Sequence, residues 1–122
     1  MIPLLNSSIP TLPSPTSSSY GIMHNKFVIF DADSSDPNIP WVWTGSTNWT
    51  AVQIDGPDRN NVIAIQDQTL AQAYKIEFEE MWGSNTLTPN TTLSKFGPYK
   101  TDNTPHNFVI GGKVVNAYFS PS

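Results

Sequence analysis

The sequence predicts an α/β domain in which a mixed sheet is flanked by helices. Short runs of β-branched and aromatic residues recur at 27–30 (FVIF), 41–44 (WVWT) and 62–66 (VIAIQ), each bounded by turn formers. One longer stretch, 68–82, carries its apolar residues at helical spacing instead.

The elements follow in order. Residues 1–19 are rich in Pro and Ser, which disfavour helix and central strand and bury no core, so they are expected to form a linker or loop. The FVIF run suits a strand buried on both faces, and Asp31 ends it. The turn-rich stretch DADSSDPNIP at 31–40 should return the chain into the WVWT strand as a hairpin. A loop then runs from Gly45 to Asn60, broken by Gly56 and Pro57, and VIAIQ makes a third strand. Asp67 is placed to cap a helix over 68–82, with Leu70, Ala71, Tyr74, Phe78, Met81 and Trp82 on one stripe and Gly83 as its stop. Residues 20–84 thus form one segment. Residues 85–107 are polar and punctuated by proline, as a linker would be, and 108–122, with FVI, a Gly-Gly turn and KVVNAYF, begin a further strand region.

At 122 residues the chain holds one domain at most. Six Lys and Arg against ten Asp and Glu leave a net charge of −4, which disfavours the electrostatic capture on which non-specific nucleic-acid binding rests. The absence of cysteine excludes a disulfide framework, a thiolate metal site and a Cys nucleophile. No run of about 18 apolar residues suggests a transmembrane segment, and MIPLLNSSIP lacks the basic and apolar regions of a signal peptide. The low Lys content and abundant Ser, Thr, Asn and Pro are nevertheless those of exported bacterial domains, so a secreted or periplasmic location is the expectation if a leader precedes this sequence.

The chemistry concentrates in two blocks. His24 and Lys26 are two apart at the entrance of a strand, so both side chains point to one face and can meet one phosphate. Asp31 lies at that strand's far end, where periodicity does not place it on the same site; a loop-fixing or charge-pairing role suits it better. Beyond the next strand, Gly45-Ser46-Thr47-Asn48 can turn backbone N–H groups, a hydroxyl and an amide toward an anionic oxygen.

Together, M-H-N-K-F-V-I-F-D followed by W-T-G-S-T-N-W-T resembles the HKD-motif signature of the phospholipase D superfamily, and the likeness continues through DRNNVIAIQD and YKIEFEEMWG, covering about residues 20–83. The resemblance implies a phospholipase D-like half-domain that hydrolyses a phosphodiester through a phosphohistidine, with neither metal nor cofactor. By matching positions, His24 would be the nucleophile or its acid partner. Lys26 and Asn48 would hold the phosphoryl oxygens, Gly45 and Ser46 would help bind substrate, and Asp31 would support them. The substrate would be a phospholipid, favoured by the acidic balance, or a nucleic acid, which would make the protein a nuclease of the same superfamily.

The chain departs from the family in one respect. The mechanism uses two such histidines, and the other one present, His106, has neither a Lys two residues on nor an Asp at the proper offset. The second HKD half would come from a second copy in a homodimer or from sequence outside this chain; otherwise the chain is a non-catalytic fragment.

Plainer roles are weighed beside these. Asp31 is equally suited to a strand-ending turn. Trp41, Trp43 and Trp49 could line a lipid or base-stacking surface, but alternating strand aromatics more often pack on a helix. Glu77, Glu79 and Glu80 are most simply a solvated helix face, with Lys75 nearby. The sequons at Asn48 and Asn90 are assigned no role.

Overall fold

A computed structural model describes residues 8–15 and 23–120. Most of the expected linker at 1–19 and the start of the 20–84 segment lie outside the described residues; residues 8–15 carry no helix or strand. The chain divides into two compact units: one gathers His24–Lys75 with Pro105–Ala117, the other Met1–Met23, Ile76–Thr104 and Tyr118–Ser122.

In the first unit, β1 (Phe27–Phe30), β2 (Trp41–Gly45) and β3 (Val62–Gln66) form a sheet in the order β1-β2-β3. All of its pairings are antiparallel, so the parallel neighbours that a mixed sheet would add are absent among the described residues. The register sets Ile29 opposite Val42 and Val42 opposite Ile65, a row of aliphatic side chains across one face. Val42 is fully buried there, and Leu70, Ala71 and Ala73 of the long helix close over it with Phe108. Each large side chain so buried stabilises the fold by about 1.5–3 kcal/mol.

Two expectations need correction. β1 is an edge strand with Phe30 half exposed, so it is not buried on both faces. Alternation puts Val42, not Trp41 or Trp43, toward the long helix; Trp41 stays 42% exposed, and Trp43 packs edge-on against Trp49 at 5.5 Å. The loop after β2 also contains a short helix, α1 (Ala51–Ile54), that its composition did not announce.

α2 (Gln68–Trp82) begins as expected: the Leu70 N–H donates to Asp67 Oδ1 at 2.8 Å. β4 (Asn107–Ile110) and β5 (Lys113–Asn116) form an antiparallel hairpin whose connection, Gly111-Gly112, takes positive φ at both residues. A tight turn of that hand matches the twist of the strands, and glycine adopts positive φ at both positions without steric cost. The hairpin brings Phe108, Ile110 and Val115 to the core around Val42 and Leu70.

The second unit corrects the reading of the acidic helix face. Glu77 is 1% exposed and Glu80 9%, not solvated. Glu77 pairs with Lys100, and Glu80 Oε1 accepts from Lys95 Nζ at 3.3 Å and from the Thr101 N–H and hydroxyl at 3.0 and 2.6 Å. Lys75 pairs instead with Asp33, at 2.6 Å in the first unit. The polar stretch after Gly83 thus carries the cations that neutralise the helix carboxylates, an arrangement that no local pattern announces.

Candidate functional site

Antiparallel pairing decides which residues meet. Phe27 lies opposite Thr44, and Gly45 opposite Val62, so the N-terminal end of β1, the C-terminal end of β2 and the start of β3 share one end of the sheet. His24, Lys26, Gly45, Ser46 and Asn48 flank that end. Asp31 lies at the opposite end of β1, separated by a strand that rises about 3.3 Å per residue, roughly 13 Å in all. There it adopts φ +48°, and its carbonyl accepts from the Ser34 N–H at 2.9 Å. The structure therefore gives Asp31 the position of a turn residue and does not bring it to the other five.

His24 is exposed and Lys26 half-buried. Lys26 Nζ donates to the His24 carbonyl at 2.8 Å, which keeps the ammonium beside the imidazole-bearing residue. Behind them Thr44 Oγ1 donates to the Lys26 carbonyl at 3.0 Å, and Thr44 shares a hydrogen bond with Tyr74 of α2, whose ring meets Phe27 edge-on at 5.2 Å. Burial raises the Tyr74 phenol above its ordinary value of 10.0, with the Thr44 hydrogen bond opposing. This chain of contacts ties the His24–Lys26 backbone to the helix and fixes where Lys26 can reach.

Gly45 is required by a close approach: a Cβ there would stand 2.2 Å from the Asn61 carbonyl oxygen. That approach lets the Ser46 N–H donate to the same carbonyl at 2.9 Å. The Ser46 hydroxyl donates to Asn60 Oδ1 at 3.1 Å and accepts from the Asn61 N–H at 3.0 Å. Ser46 thus braces β2 against β3 in this conformation rather than aiming its hydroxyl outward. The Asn48 N–H donates to Gln53 Oε1 of α1 at 2.6 Å, and its carbonyl accepts from the Thr50 N–H at 2.9 Å, so its backbone is pinned beside the sheet end.

Two residues went unnoticed in the sequence. Gln53 anchors Asn48, and Asn60 anchors Ser46 while its Nδ2 is buried with no hydrogen-bond partner among the described residues. The signal available was their polarity beside a strand start, shared with most loop residues. His106 lies on the β4–β5 hairpin, its Nδ1 3.0 Å from the Ala117 carbonyl.

The exposed His24, the Lys26 ammonium and the backbone-pinned Asn48 thus lie at one end of the sheet. The chain belongs to the family described as cardiolipin synthase, PLD-like domain, which it matches over residues 4–82. That family falls within the phospholipase D superfamily of phosphodiesterases. It is similar to the mitochondrial cardiolipin hydrolase of Xenopus tropicalis, 39% identical over 64 residues that make up 52% of this chain and 27% of that protein. The mitochondrial cardiolipin hydrolase of Canis lupus familiaris is 33% identical over 100 residues, 80% of this chain and 35% of that one. The chain thus spans about a third or less of the length of these relatives. No solved structure matches it. No helix among the described residues is long and apolar enough to cross a membrane.

Proposed function

We propose that the protein hydrolyses a phosphodiester, with a phospholipid-type diester as substrate, through a phosphohistidine on His24. The observation that carries this reading is the register, which collects His24, Lys26 and Asn48 at one end of the sheet. A ring nitrogen of His24 attacks phosphorus, the bond from phosphorus to the leaving oxygen breaks, and a second imidazole protonates the departing alkoxide. Water then attacks the phosphohistidine, gives its proton to that second imidazole, and releases a phosphomonoester and His24. Lys26 Nζ and the Asn48 amide hold the phosphoryl oxygens as charge builds on them.

One imidazole cannot be nucleophile and acid at once, and His106 is engaged with the Ala117 carbonyl. The second HKD half is proposed to come from a second copy, both His24 side chains facing one phosphate, or from sequence beyond this chain. The lipid preference is supported by the net charge of −4 and by the names of the relatives.

The test is turnover of a phospholipid and of single-stranded nucleic acid by wild type and by His24→Ala. Wild type is expected to cleave the lipid with or without EDTA, and His24→Ala neither substrate. Full activity in purified His24→Ala sinks the assignment, loss in EDTA restored by a divalent ion contradicts a metal-independent site, and exclusive cleavage of nucleic acid replaces lipase with nuclease. Activity should rise faster than linearly with protein concentration if two copies share the site; if outside sequence completes it, only the longer chain should be active.

A further inference from the structure

Beside Asn48 lies a cavity of about 130 Å³ lined by Trp43, Thr47, Asn48, Trp49 and Ile54. Its walls are apolar apart from Thr47 and the Asn48 amide, so it opens on one of the groups that the preceding reading assigns to the phosphate. Alternation along the sheet puts Trp43 on the face away from Val42, the face to which Lys26 is directed as well. Trp49 and Ile54 are 55% and 63% exposed, and Val52 next to them 64%. Large apolar side chains grouped at the rim of a polar site indicate that an apolar group covers them when the site is filled.

The geometry discriminates between the apolar groups a phosphodiester can carry. A nucleobase is usually held by stacking on an open ring face, with hydrogen bonds reading its edge. Here the Trp43 and Trp49 rings already touch, 5.5 Å apart at 68°, so no base intercalates between them, and the walls offer few groups to read an edge; a base stacked on the exposed side of Trp49 is the alternative that the test below decides. The volume suits about four groups the size of a water molecule or a methylene. We propose that this cavity receives the first carbons of an aliphatic chain borne by the phosphodiester, so that Trp43, Trp49 and Ile54 select alkyl-bearing over base-bearing esters. The inference rests on the phosphodiesterase reading and names the part of the substrate that it leaves open.

The experiment measures kcat/KM for a series of alkyl p-nitrophenyl phosphates, from ethyl to octyl, with the p-nitrophenyl phosphodiester of thymidine as the base-bearing competitor. In the wild type kcat/KM should rise about fourfold per methylene and level off once about four have been added. The thymidine ester should do no better than the ethyl one. Ile54→Phe, which fills the cavity, and Ile54→Ser, which strips its apolar wall, should each flatten the rise to under twofold per methylene; Ile54 is exposed on a short helix, so both variants should fold. A flat series in a wild type that turns the esters over overturns the cavity's role and leaves the phosphodiesterase reading standing. So does a thymidine ester preferred tenfold over hexyl. If nothing is turned over even by a longer chain that carries the second HKD half, the phosphodiesterase reading fails, and tryptophan quenching by 6-bromohexyl phosphate decides the cavity by itself. Saturable quenching, largely lost in Trp49→Phe and absent with 2-bromoethyl phosphate, supports it; no quenching overturns it.

Discussion

Two polar clusters in this molecule use similar residues to opposite ends. On the second unit, Glu77 and Lys100 bury their charged groups to 2% and 3% side-chain exposure and neutralise each other, with Glu80, Lys95 and Thr101 alongside. At the end of the three-stranded sheet His24 stands exposed, Lys26 Nζ donates to the His24 carbonyl, and Asn48 is pinned through its backbone N–H by Gln53. The first cluster neutralises its own cations, though Glu80 Oε2 stays buried with no hydrogen-bond partner among the described residues. The second leaves His24 open to solvent, and the proposed reading gives it an anion to receive.

The largest effect should come from opening the closed cluster. Glu77→Ala leaves the Lys100 ammonium buried and unpaired, which costs about 3–5 kcal/mol, whereas the double change Glu77→Leu with Lys100→Met should be neutral or stabilising. Urea titration of both variants checks this. If Glu77→Ala costs under about 1 kcal/mol, the pair is solvated in practice and the contrast between the clusters collapses.

At the open cluster the same kind of deletion should strike activity instead. Lys26→Ala and Asn48→Ala should each remove about 2–4 kcal/mol of transition-state stabilisation, roughly 30- to 1000-fold in kcat/KM, with little change in the urea midpoint. A variant that lost stability and activity together would show that the residue braces the loop rather than holding phosphate.

Ser46 is the intermediate case. Ser46→Ala strands Asn60 Oδ1 and the Asn61 N–H, so it should cost about 1–2 kcal/mol of stability and lower kcat through misplacement of Asn48, with KM less affected. Ser46→Thr, which keeps the hydroxyl, should recover most of both. Failure of Thr to recover activity while stability returns would mean that Ser46 touches substrate directly.

The contrast also explains what could be seen in the sequence. The three strands, the Asp67-capped helix and the Gly-Gly hairpin were legible because each rests on local chemistry: β-branched runs, a cap, a turn. His24, Lys26, Gly45, Ser46 and Asn48 were legible as a spaced motif. Gln53 and Asn60 were not, because their roles arise from partners 5 and 14 residues away across a loop. Nor was the burial of Glu77, whose partner Lys100 is 23 residues on. The exposed edge of β1 escaped for the same reason, since strand order is a property of the sheet and not of FVIF.

The smallest predicted effect tests the tie between the two kinds of region within the first unit. Tyr74 links α2 to the Lys26 backbone through Thr44, so Tyr74→Phe should cost about 1 kcal/mol near neutral pH, the typical net worth of one hydrogen bond. Its phenol is raised above 10.0 by burial, which means that the folded state holds the proton more tightly than the unfolded chain. The stability that Tyr74 contributes is therefore fully present below about pH 10 and is lost as pH rises through the raised value. Wild type should lose stability between pH 9 and 11 faster than Tyr74→Phe, which has no proton to lose at that position, so the gap between them narrows on alkalinisation. Comparing the two proteins cancels the other tyrosines, which ionise in both. A gap that stays constant to pH 11 would mean that the Tyr74 hydroxyl is solvated and that Lys26 is positioned by the Thr44 bond alone.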